Sequence, residues 1–169
     1  MKNHNDSGET TMKKDAVIDP TGLYRYSLCR EWDKNKKRVA FIMLNPSSAD
    51  AVTDDPTLRR CISFAKSWGY GSLEVVNLFA YRASKPVELK KVADPVGKKN
   101  DRYLKEAVER ADKIIVSWGN RGILNNRYKD VLNMLNGLDG IQLYCLGTTK
   151  KSHPYHPLYV RGNTQPVNY

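Results

Sequence analysis

Apolar residues along this chain fall into short unbroken runs separated by amphipathic stretches. Val39–Leu44, VAFIML, is a continuous apolar run of strand length, the pattern of a strand buried on both faces. In the following DDPTLRRCISFAKSWGYG, Leu58, Ile62, Ala65 and Trp68 recur at helical spacing. Asp54 or Asp55 can cap that helix, Pro56 suits its first turn, and Gly69 and Gly71 end it. SLEVVNLFAY predicts a second buried strand, and SKPVELKKVADPVGKK a Pro- and Lys-rich connection. NDRYLKEAVERA predicts a helix with Leu104, Ala107, Val108 and Ala111 on one side. KIIVSWG is a third strand, NNRYKDVLNMLNGLDG a third helix and IQLYCLG a fourth strand, after which comes TTKKSHPYHPLYVRGN. Ahead of these units, IDPTGLYRYSLCREW alternates as an edge strand or hairpin does, with KNKKR as its turn. Residues 1–17 read as a flexible polar tail, in which His4 has no functional reading, and 18–169 as a single α/β domain.

Strand and helix alternating in this way predict a three-layer α/β/α fold around a central, mainly parallel four-stranded sheet. Such sheets hold ligands beyond the carboxyl ends of their strands. The chemistry is therefore expected in NPSSAD, NLFAYRAS, WGNRG and TTKKSHPYHPLYVRGN. Charge adds a class of partner. Lys plus Arg number 28 against 18 acids, a net charge of +10, which supplies non-specific attraction for a polyphosphate such as nucleic acid or a nucleotide. Three widely spaced cysteines, Cys29, Cys61 and Cys145, suit reduced thiols in a cytoplasmic protein. No apolar run nears the roughly 20 residues that span a bilayer, so no membrane partner is expected.

Each strand-end segment has a chemical reading and a plain structural one. Asn45, Ser47 and Ser48 offer a carboxamide and two hydroxyls ahead of Asp50, Asp54 and Asp55, or simply make a turn. Asn77 lies late in an apolar strand, where its amide must find a partner: the edge of a base, or nearby backbone. Phe79 and Tyr81 can stack on a base or fill the core, and Arg82 suits a phosphate. Asn120 and Arg121 fit ligand contacts and helix starts equally well. The closing loop gathers Lys150, Lys151, His153, His156 and Arg161, stiffened by Pro154 and Pro157, so that an imidazole can be held ready to donate to a developing anion. No third His or Cys lies near the two histidines, so no metal and no cofactor is expected. Neither GxxxxGK[ST] nor GxGxxG occurs, which excludes a conventional nucleotide triphosphatase or dinucleotide enzyme.

Together and in order, VAFIMLNPSS, EVVNLFAYRAS, IIVSWGN and HPYHPLYVRG resemble the motifs of the uracil-DNA glycosylase superfamily. By LNPS (Leu44–Ser47) and HPLY (His156–Tyr159) the domain is also similar to domain of unknown function 1643. The first resemblance implies a uracil-DNA-glycosylase-like fold and a set of roles. Asn45 would place a water, His153 or His156 would stabilise the leaving base, and Asn77 would read the base edge. Leu158 would fill the gap left by a flipped nucleotide, and Ser47, Ser48, Lys150, Lys151 and Arg161 would hold phosphates. Met43-Leu44 stand where that family has a glycine, and Leu58 where it stacks an aromatic ring. The expected function is hydrolysis of the N-glycosidic bond of a base, modified or not. The alternative is a non-catalytic module binding nucleic acid or a nucleotide in the same cleft.

Overall fold

The computed structural model describes residues 11–169, so His4 lies outside the described residues. Two hairpin strands come first, β1 (Lys13–Ile18) and β2 (Arg25–Glu31), then β3 (Arg38–Met43), α1 (Pro56–Ser67) and β4 (Ser72–Asn77). After α2 (Asn100–Arg110) follow β5 (Lys113–Val116), α3 (Arg127–Asn136), β6 (Leu143–Cys145) and β7 (Val167–Asn168). Lys13–Val17, assigned above to the tail, therefore form most of β1, because Ala16, Val17 and Ile18 are half-buried against β2.

All seven strands join one mixed sheet in the order β1-β2-β4-β3-β5-β6-β7. The four apolar runs form its parallel centre, β4-β3-β5-β6. The four-stranded expectation is thus corrected to seven. β1 and β2 pair antiparallel on one side and β7 on the other. The two residues of β7 carry no periodic signal, and β1 is too polar to read as a strand without its partner.

Both faces of the sheet are apolar, which is why β3 reads as an unbroken run. Val39, Phe41 and Met43 pack with Leu58, Cys61, Phe64 and Ala65 of α1. Ile42, on the other face, packs with Leu104, Ala107 and Val108 of α2 and Val131 and Leu135 of α3. The side chain of Asp55 accepts the amide of Leu58 at 2.8 Å and caps α1, with Pro56 in the first turn. One charge is sunk into β4. Glu74 is fully buried, accepts from Ser27 Oγ at 2.7 Å and pairs with Arg110 at 2.7 Å and Arg38 at 3.5 Å. Among the described residues no helix is long and apolar enough to cross a membrane.

Polar ties fix the strand ends. Asn100 Nδ2, buried at the start of α2, donates to the carbonyls of Asn77 and Leu78 at 2.9 and 3.1 Å. Arg127 Nε, from α3, donates to Leu78 O at 2.9 Å. Past β3 and β4 the backbones stay paired, with Leu78, Phe79 and Ala83 donating to Met43, Leu44 and Pro46.

Candidate functional site

A cleft of about 430 Å³ opens beyond the carboxyl ends of β3, β4 and β5. Its inner wall is apolar and buried, built from Leu28, Met43, Leu58, Val75 and Trp118. Asn45, Ser47, Ala83, Ser84, Asn120, Arg121, His156 and Leu158 also line it, so residues from all four predicted segments meet there. Arg25, Asp55, Thr57 and Tyr159 complete its polar and rim contacts.

Asn45 is held from one side. Its Nδ2 donates to Pro46 O at 3.0 Å and Ala83 O at 2.9 Å, which uses both amide protons. Oδ1 has no donor among the described residues, which leaves an acceptor fixed in direction. The group can hold a water or a ligand N–H, but it has no basicity with which to take a proton.

His156 is held in the complementary way. Its Nδ1 accepts the backbone N–H of Leu158 at 3.2 Å and caps the short turn Pro157–Tyr159. In the neutral ring the proton then sits on Nε2, which is a donor. Burial pushes the His156 pKa below its ordinary value, partly offset by Asp55, and so favours that neutral form. The loop is anchored from several directions. Ser117 Oγ donates to Tyr155 O at 2.6 Å, Gly119 N to Pro154 O at 2.8 Å and Thr149 Oγ1 to Asn120 Oδ1 at 2.6 Å. Arg60 of α1 reaches the carbonyls of Pro157 and Val160.

Gly119, also in the lining, owes its glycine to backbone conformation. Its φ of 69° with ψ of −173° is a glycine conformation, and a Cβ there would lie 3.8 Å from His156 Cβ. Gly119→Ala is expected to cost about 1–3 kcal/mol in urea unfolding, from backbone strain rather than from a clash.

The other predicted residues lie elsewhere. His153 is 7% exposed and rests edge-on against Tyr128, with ring centroids 5.1 Å apart. Its Nδ1 is buried without a partner among the described residues, and burial, then Lys151, lowers its pKa. Asn77 pairs in register with Met43 and shares the face of Val75, but does not reach the lining. Both its Oδ1 and Nδ2 are buried without partners among the described residues. Phe79 is fully buried in the α2–α3 core. Arg82 Nη1 donates to Gly22 O at 3.2 Å. Ser48, Lys150, Lys151 and Arg161 are exposed and off the lining. Among the described residues no three His, Cys, Asp or Glu side chains gather as a metal site requires.

Two charged lining residues are not among the predicted site residues. Asp55 reads as a helix cap, and it is one, but it is also the acid in the lining. Arg25 sits in a segment that reads as an edge hairpin. In the pairing of β1 with β2, Val17 faces Ser27 and Ile18 faces Arg25, so Tyr26 is an extra, bulged residue. The bulge turns Tyr26 onto Tyr103 of α2, in a stack at 5.2 Å, and sends Arg25 into the cleft. Burial lowers the Arg25 pKa to about 10; Asp55 and Asp50 oppose the shift, Arg82 and Arg30 add to it. A second cleft of about 480 Å³, walled by Tyr24, Tyr26, Tyr103, Lys98 and Lys99, contains none of the predicted residues.

No curated protein and no solved structure matches the chain. A family model described as "Protein of unknown function (DUF1643)" matches residues 25–158, which run from the cleft arginine to the rim leucine. The chain belongs to that family.

Proposed function

We propose that the protein is a glycosylase-like hydrolase acting on a base, modified or not, in nucleic acid or in a nucleotide. In this reading Asn45 Oδ1 holds a water and His156 Nε2–H donates to an oxygen of the departing base. The C1′–N bond breaks and its electron pair leaves with the base, where the imidazole meets the new negative charge. The water oxygen bonds to C1′, and the proton it sheds ends on the base. One observation carries the reading: a directed acceptor and a directed neutral donor, each locked from behind, line one apolar-walled cleft. The resemblance to the uracil-DNA glycosylase superfamily and the net charge of +10 support it. Free Cys29, Cys61 and Cys145 suit the cytoplasm as its setting.

Incubating the protein with a panel of modified-base oligonucleotides, nucleotides and nucleosides tests the proposal by release of free base. Release is expected, and Asn45→Ala is expected to lower kcat by roughly a hundredfold through loss of water placement. No release from any member of the panel would sink the hydrolase.

Asn45 itself favours a second reading. A carboxamide whose nitrogen is spent on carbonyls cannot act as a base, which suits a module that binds a base without cutting it. Salt-sensitive binding with no release is the result that selects this alternative.

A further inference from the structure

Two buried arginines on β2 are treated in opposite ways. Arg30 is fully buried and fully engaged. Its Nε donates to Asp54 Oδ1 at 2.9 Å and its Nη groups reach the carbonyls of Cys29, Asp50 and Thr53. Arg25 is 3% exposed, yet among the described residues it makes one side-chain hydrogen bond, from Nη1 to Ala49 O at 2.9 Å. Among the described residues its buried Nε has no acceptor and no carboxylate stands within ion-pair distance. A guanidinium in that position costs the fold unless something else accepts from it. The bulge at Tyr26 is what puts it there. Bulges next to sites re-aim side chains.

We propose that Arg25 is the receptor for an oxyanion on the ligand, so that the cleft takes a nucleotide-sized molecule whose phosphate or carboxylate reaches its inner wall. A guanidinium presents a planar fork of donors that matches such a group with two parallel hydrogen bonds. The position in the cleft narrows the source. In the lining Ser47, Asn120 and Arg121 are exposed, open to a polynucleotide backbone, whereas Arg25, like Leu28 and Val75, is buried. An oxyanion at that depth is the terminal phosphate of a mononucleotide or an acid group carried by the base. Asp55, also in the lining, spends Oδ1 on the Leu58 amide and moderates the positive charge of Arg25.

The inference deepens the reading of the cleft as a base site, and its test separates the two. Binding of a nucleoside 5′-monophosphate, the parent nucleoside, a 5-carboxypyrimidine nucleoside and inorganic phosphate is measured by calorimetry on the full chain and on Arg25→Met. The charged ligand is expected to bind the natural protein roughly tenfold to a hundredfold tighter than the parent nucleoside, a difference that Arg25→Met erases. Which ligand gains, the monophosphate or the carboxylate, identifies the source. Phosphate should raise the Tm of the natural protein and not of the variant. Without ligand the variant should melt no lower than the natural protein, since an unpaired buried charge has been removed. Equal affinity for charged and uncharged ligands in the natural protein, together with no shift by phosphate, overturns the inference whether or not the variant folds. Base release with that indifference would leave the hydrolase standing and remove only Arg25. A lower ligand-free Tm for Arg25→Met, with the phosphate shift retained, assigns Arg25 a structural role and also overturns it.

Discussion

His156→Ala is expected to lower kcat for base release by about 10²–10³-fold, the loss typical of removing one donor aimed at a developing anion. KM should change little, because the donated bond strengthens only as charge reaches the base. His153→Ala is the control. That ring packs on Tyr128 away from the cleft lining, so kcat should stay near the natural value while stability falls. The pH profile carries a second signature. Burial holds the His156 pKa below the ordinary 6.5, and the working form is the neutral ring with its proton on Nε2. Activity should therefore be level above that value and fall as pH drops through the lowered one. Stability follows the same direction. Both imidazoles have depressed values in the folded chain, so the unfolded chain takes up protons first. Their contribution is complete above pH 6.5 and is lost as the pH falls. Equal kcat losses in the two variants would reject the assignment of His156.

Asp54→Ala should produce the largest loss of stability, about 3 kcal/mol in urea unfolding, because it strands a buried guanidinium. Arg30 has no solvent exposure and pairs with Asp54 Oδ1 at 2.9 Å. The carbonyls of Asp50 and Thr53 would still accept from it, which places the cost at the lower end for a broken buried pair. Replacing Arg30 together with Asp54, as Arg30→Met with Asp54→Ala, should recover part of the loss. An unchanged unfolding midpoint for Asp54→Ala alone would show that the ion pair contributes nothing net.

The parallel centre of the sheet is legible in the chain because burial on both faces leaves an unbroken apolar run, as VAFIML does for β3. α1 is legible for a different reason: a cap at Asp54 or Asp55, Pro56 and the spacing from Leu58 to Ala65 point to a start within one residue and to one face, and the structure selects Asp55. The flanking strands are less so. KKDAVI becomes β1 only through its register with β2, and nothing in its own composition demands a strand. The strand-end rule brings Asn45, Ser47, Asn120, Arg121 and His156 to one place, since it depends on topology alone. It could not choose between two histidines of one loop, which hydrogen bonds and packing separate. Arg25 was out of reach because alternation assumes one residue per step, and the bulge at Tyr26 breaks that count. Asn77 shows the opposite limit. Its position beside β3 follows from the strand pattern, whereas the lack of a partner for its side-chain amide among the described residues is visible only in three dimensions.

The order in which the strands pair has a consequence for synthesis. β3 is the middle strand of the seven and pairs with β4 and β5, both of which come later in the chain. β5 ends about 70 residues after β3 does. At translation rates of about 5–20 residues per second, the most apolar segment waits roughly 4–14 s for its second neighbour. The β1–β2 hairpin can form at once, but it meets the rest of the sheet only through β4. A nascent chain cut anywhere before Val116 thus presents VAFIM with an open edge, the situation in which strands find partners on other molecules. Fragments ending inside α2 should accumulate as aggregates rather than as folded half-domains.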